Sequence, residues 1–99
     1  MSNEFILVAS DKALDFISEE YNQLEKIKEG LGERFFDAIE ASFSIIKKRP
    51  LSSPQKTAIY RRSLINISKR IQYSIYFRLE GKTIFIDLIL PNSINPSKH

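Results

Sequence analysis

The residues of this chain best equipped to hold an anion are Arg61, Arg62 and Arg78, with Tyr76 nearby in the same strand-like stretch as Arg78. A guanidinium presents a planar fork of donors, which grips a phosphate or a carboxylate through paired hydrogen bonds. Lys56 adds a compact charge just upstream, and Lys56, Arg61, Arg62 and Arg78 together form the candidate target-binding set. The competing account is that these arginines are solvated, keep a sheet face soluble and pair with Asp87 or Glu80. Lys47, Lys48 and Arg49 could extend the basic surface, but cations at a helix C-terminus are explained by the helix dipole alone. Proton-transfer chemistry has less to draw on. The single histidine is His99 at the extreme terminus, where side chains are seldom held in place. A base would have to be Tyr76 or a lysine with a shifted pKa. The sequence has no Gly-rich phosphate loop, no carboxylate cluster of metal-ligand spacing and no Ser-His-Asp pattern, so no metal or cofactor is expected. With no cysteine, disulfides and thiolate metal sites are excluded.

The elements that must position these residues are legible from periodicity. Residues 71–79 alternate: Ile71, Tyr73, Ile75, Phe77 and Leu79 against Gln72, Ser74, Tyr76 and Arg78. Successive strand side chains point to opposite faces, so this is a half-buried strand with Tyr76 and Arg78 on its polar side. Glu80-Gly81-Lys82 is a turn, and the apolar run 83–90 reads as a strand inside a sheet. This hairpin has an apolar face that needs a cover, and the upstream chain supplies it. Residues 5–8 are a short buried strand. Ser10 or Asp11 caps a helix with a Leu14–Ile17–Tyr21–Leu24 stripe that ends near Gly30. A second helix, residues 33–48, carries Phe36, Ile39, Phe43 and Ile46 as its main stripe, widened by Phe35, Ala38, Ser42 and Ile45. Pro50 stops it. Residues 51–56 are a loop, and 57–67 return to strand composition with imperfect alternation, so the sequence leaves open which of Arg61 and Arg62 faces outward.

The order β-α-α-β-β-β predicts an α+β domain: an αα-hairpin on one face of a three-stranded antiparallel meander, with the N-terminal strand beside the last strand, making four. Residues 1–99 suit one domain, and 42% apolar residues are enough for a packed core. Met1-Ser2-Asn3-Glu4 lacks the basic start of a secretory signal, and the apolar run near residues 84–90 is too short to span a bilayer and contains Asp87; a cytoplasmic location is expected. Charge is divided unevenly. Residues 1–46 hold 4 basic and 10 acidic side chains, whereas residues 47–99 hold 11 basic and 2 acidic. The basic half thus invites a polyanion or an acidic partner.

Tyr60-Arg61-Arg62-Ser63-Leu64, the aromatic strand from Tyr73 to Leu79, the Glu80-Gly81 turn, the apolar final strand and the tail Asn95-Pro96 together resemble the RelE/ParE superfamily of toxins from type II toxin–antitoxin (plasmid stabilisation) modules. The likeness covers nearly the whole chain. It implies a RelE/ParE-like fold, a cytoplasmic toxin that inhibits growth, and a cognate antitoxin as partner, in a hetero-oligomer or with a toxin homodimer. It also implies a target: DNA gyrase for ParE-like members, or the ribosome and its mRNA for RelE-like endonucleases. Cleavage of RNA needs a base, an acid and cations at one phosphate. Where many relatives carry His and then Arg after the last strand, this chain has Pro91 and Ile94. Arg62, Tyr76 and Arg78 are the remaining candidates for catalysis, so the departures favour a ParE-like toxin acting by binding. The alternatives are a RelE-like endonuclease and a degenerate non-toxic binding module. An apolar helical stripe wider than the sheet can cover would serve as an antitoxin or dimer surface.

Overall fold

The computed structural model describes residues 5–92. Its elements run β1 (Ile6–Ala9), α1 (Asp11–Ile27), α2 (Leu31–Lys48), a 3₁₀ turn (Pro50–Ser52), β2 (Arg61–Asn66), β3 (Gln72–Glu80) and β4 (Thr83–Pro91). The strands form one mixed sheet in the order β1-β4-β3-β2. β2, β3 and β4 are an antiparallel meander, and β1 joins β4 in parallel. The fold class and strand placement are as expected from the element order. β3 and β4 are joined by a two-residue turn, because Glu80 pairs directly with Thr83. Gly81 takes φ 61° there, a left-handed value that glycine adopts without a Cβ clash.

Both helices cover one face of the sheet. Ile84, Ile86 and Ile89 of β4, Tyr73, Ile75 and Phe77 of β3, and Ile65 of β2 meet Ala13, Ile17 and Leu24 of α1 and Leu31, Phe35, Ile39 and Ile46 of α2. Each large side chain buried this way contributes about 1.5–3 kcal/mol. The spacing of the buried isoleucines on β4 changes from two to three after Ile86. The cause is a β-bulge: Tyr76 pairs with Leu88 and Phe77 with Ile86, which leaves Asp87 without a partner residue.

The helical stripes are rotated from the expected ones. In α1 the sheet-facing residue of the first turn is Ala13, and Leu14 is 51% exposed. Ser10 explains this. Its Oγ accepts the Ala13 amide at 3.0 Å and donates to the Asp87 carbonyl at 3.1 Å, which fixes the helix start beside β4. A small residue then suits the close approach. In α2 the buried line is Leu31, Phe35, Ile39 and Ile46, while Phe36 and Ile45 face outward, 39% and 60% exposed. The connection also differs. α1 ends at Ile27, and Gly30, at φ 90°, is the N-cap of α2 rather than the end of α1. The Glu25 carboxylate supplies the cap that Gly30 lacks, accepting the amides of Gly30 at 3.2 Å, Gly32 at 3.0 Å and Glu33 at 3.3 Å. These are donors that a helix start leaves unpaired.

Gly32 sits where the two helices touch. A Cβ there would lie 2.7 Å from the Tyr21 carbonyl oxygen and 2.7 Å from Glu25 Cγ. Gly32→Ala is therefore expected to lower stability by about 1–3 kcal/mol, because backbone and cap must both shift. Urea unfolding checks this, and an unchanged midpoint would contradict the contact.

Tyr73 is buried against Phe35, ring centroids 4.9 Å apart, and donates to Glu20 of α1 at 2.6 Å. Burial first, and then the Glu20 hydrogen bond, hold its phenol well above the ordinary tyrosine range. The folded state thus favours the protonated phenol, and the unfolded chain releases the proton near pH 10. This contribution to stability is fully present below about pH 10 and is lost as pH rises from there toward the folded-state value. Stability measured between pH 9 and about 11.5 should fall less steeply in Tyr73→Phe than in the wild type; equal slopes would contradict the assignment.

Candidate functional site

The face of the sheet turned away from the helices carries three of the candidate residues, Arg62, Tyr76 and Arg78. The register settles which of the paired arginines lies there. Ile65 pairs with Tyr73, and both are in the core. By alternation Ser63 and Arg61 share that side, whereas Arg62 and Leu64 point to the open face. Arg61 turns under the sheet edge and donates Nη1 to the Ser53 carbonyl at 2.7 Å, tying down the segment after α2. Of the expected target-binding set, Arg61 therefore lies at the sheet edge, apart from the open face. Arg62, Tyr76 and Arg78 do share one face. β2 begins at Arg61 rather than at residue 57. Thr57 Oγ1 accepts the amides of Ile59 and Tyr60 at 3.1 and 2.9 Å, so the chain turns before it can pair. Lys56 is exposed in that turn region.

Cross-strand pairing lays the open face out in rows. Leu64, Ser74 and Leu90 form one, Arg62, Tyr76 and Leu88 the next, then Arg78, Phe85 and Val8, and finally Thr83 between Glu80 and Ile6. Apolar side chains thus flank a polar centre. Val8 and Leu90 are each close to half exposed, and Ile6 and Leu64 are exposed by 60% and 54%.

Asp87 organises the centre. The bulge turns its carboxylate onto this face, where Oδ2 accepts Arg78 Nε at 2.7 Å and the Tyr60 hydroxyl at 2.8 Å. Arg78 also pairs through Nη1 with Glu80, and its guanidinium carbon lies 4.4 Å above the Phe85 ring. The pairing of arginine with Asp87 and Glu80 considered from the sequence is therefore what Arg78 adopts. Arg62 and Lys56 make no ion pair among the described residues. The hydrogen bond to Asp87, followed by burial, holds the Tyr60 phenol above its ordinary range. The Arg78 guanidinium is likewise held above its ordinary value, chiefly by Asp87. Tyr60 and Arg78 both keep their protons at neutral pH. Pro91, where a histidine would complete the nuclease pattern, is the last residue of β4; Ile94, Asn95, Pro96 and His99 lie outside the described residues.

A second feature is a groove of about 440 Å³ on the outer side of the αα-hairpin, lined by Leu14, Ile17, Tyr21, Glu33 and Phe36 among others. The Tyr21 and Phe36 rings meet edge to face at 6.5 Å, and Tyr21 donates to Glu33 at 2.9 Å. The groove contains Leu14 and Phe36, two of the apolar residues turned out of the core when the stripes rotate. Among functional residues, periodicity missed Tyr60, because its reach to Asp87 depends on the bulge. The available signal was a lone aspartate in an otherwise apolar strand.

No protein-family model matches the sequence, and no curated protein matches it significantly. Among solved structures, the fold is similar to that of a chain from the "Chromosomal ParDE TA system from P. aeruginosa", with a TM-score of 0.72 and 18% sequence identity. The match covers 91% of this chain and 98% of the other. The likeness is one of fold.

Proposed function

We propose that the chain is the toxin of a type II toxin–antitoxin module, ParE-like in acting by binding an intracellular target, and neutralised by a cognate antitoxin. The likeness to a chain of a ParDE system supports the class. The observation that carries the binding mode is the engagement of Arg78 by Asp87 and Glu80. A guanidinium held by two internal carboxylates is poorly placed to stabilise the charge that develops in phosphodiester cleavage, which needs donors aimed at that charge. The sheet face sets exposed apolar side chains around a polar centre, and the groove between α1 and α2 offers further apolar surface, as protein-binding sites do. The antitoxin engages the apolar rim of the helices and sheet, and the basic half meets the target.

Expression of the chain alone in a bacterial host tests this reading. Growth arrest with altered plasmid supercoiling and intact mRNA is expected; normal growth at full soluble expression contradicts a toxin. The alternative, a ribosome-dependent endonuclease, is favoured by one observation: Arg62, Tyr76 and Arg78 share a face. It requires defined mRNA cuts that disappear when these three residues are replaced.

A further inference from the structure

We propose that the outer edge of the Arg78 guanidinium is a carboxylate-binding site for an extended acidic, apolar protein segment, and that Glu80 is its internal placeholder. The proposal rests on the binding reading above and names the chemistry its open face recognises. The two acids that hold Arg78 are not equivalent. Asp87 takes Nε from within the face, its side chain 24% exposed, and is braced by Tyr60. Glu80 takes Nη1 from the end of β3 with its side chain 63% exposed. An ion pair so open to water is worth at most about 1 kcal/mol, so an incoming carboxylate can displace it. Asp87 and the Phe85 ring meanwhile hold the guanidinium in place, which lowers the ordering needed on binding.

The surroundings choose between an acidic peptide and a nucleic acid. Val8 in the row of Arg78, Ile6 in the row beside it, and Leu64 and Leu90 in the row beyond Tyr76 are all exposed, and apolar peptide side chains would cover them. The Asp87 and Glu80 carboxylates oppose a run of phosphates more strongly than they oppose a single peptide carboxylate that takes Glu80's place on Nη1. The excess of cations in residues 47–99 draws in an acidic segment.

The test uses the full chain and a fluorescein-labelled peptide, Leu-Glu-Glu-Leu-Glu-Glu-Leu, with oligouridylate RNA as the competing probe. Glu80→Gln is expected to tighten peptide binding about two- to fivefold. Glu29→Gln, which changes net charge equally at an exposed site between the helices, should leave it unchanged. Saturating peptide should also shift the Nε–H resonance of Arg78. The inference is overturned if the two variants behave alike, if that resonance does not move, or if RNA binding gains more from Glu80→Gln than peptide binding does. The measurement needs no antitoxin, so it can succeed where the toxin reading fails, and the growth test can succeed where this one fails.

Discussion

Replacing Asp87 by alanine is expected to lower the free energy of unfolding by about 2–3 kcal/mol, among the largest effects of any single polar substitution in the chain. The residue occupies the bulge that breaks the parity of β4 and links three parts of the fold, two through its carboxylate and one through its backbone carbonyl. It accepts from Tyr60 before β2 and from Arg78 on β3, and its own carbonyl accepts from Ser10 at the start of α1. Removing the carboxylate leaves the Tyr60 hydroxyl and Arg78 Nε without their acceptor, with Glu80 alone still paired to the guanidinium. Breaking a fully buried pair in this way costs about 3–5 kcal/mol. The side chains of Arg78 and Asp87 are 29% and 24% exposed, so water recovers part of that. Asp87→Asn keeps an acceptor oxygen and should lose roughly half as much. Removing both partners should cost less than the sum of the single changes, which a double-mutant cycle with Arg78→Met measures in urea. Additive losses would show that the two residues act independently.

The second large effect concerns binding. Phe36→Glu should weaken antitoxin binding by about a hundredfold or more, as the loss of a central aromatic anchor does, while leaving the thermal midpoint within a few degrees. Phe36 already stands partly in solvent on the wall of the α1–α2 groove, so a charge there spoils an apolar contact without entering the core. It also sets a carboxylate beside Glu33 and the Tyr21 hydroxyl, adding like-charge repulsion. A variant that binds the antitoxin as tightly as the wild type would remove the groove from the interface.

Much of this architecture could be read from residue order. Strict alternation over residues 71–79 and the apolar run after Gly81 identify the central hairpin, because one buried face forces a period of two. What could not be read depends on contacts between distant residues. The helical stripes are rotated because Ser10 ties α1 to β4 and Gly32 lets α2 approach α1; neither contact is encoded in local periodicity. The cap on α2 comes from Glu25 across the connection, and capping rules that look for a side chain at the N-cap itself do not find it. Similarly, Arg61 and Arg62 are adjacent and chemically identical in sequence. Only the pairing of Ile65 with Tyr73 separates the one that braces the Ser53 segment from the one on the open face. Arg78 was legible as an anion holder and, equally, as a partner of Asp87 and Glu80. The bulge decides between these by bringing the aspartate to Nε.

The central claim, a binding protein neutralised by a cognate antitoxin, is tested most directly by titrating the purified chain with a candidate antitoxin, sought as the product of a small acidic reading frame adjoining its own. The predicted result is saturable nanomolar binding, in the range of specific protein pairs, that is weakened by Phe36→Glu and retained by Phe36→Leu. No saturable binding to a folded chain at tens of micromolar would contradict the account.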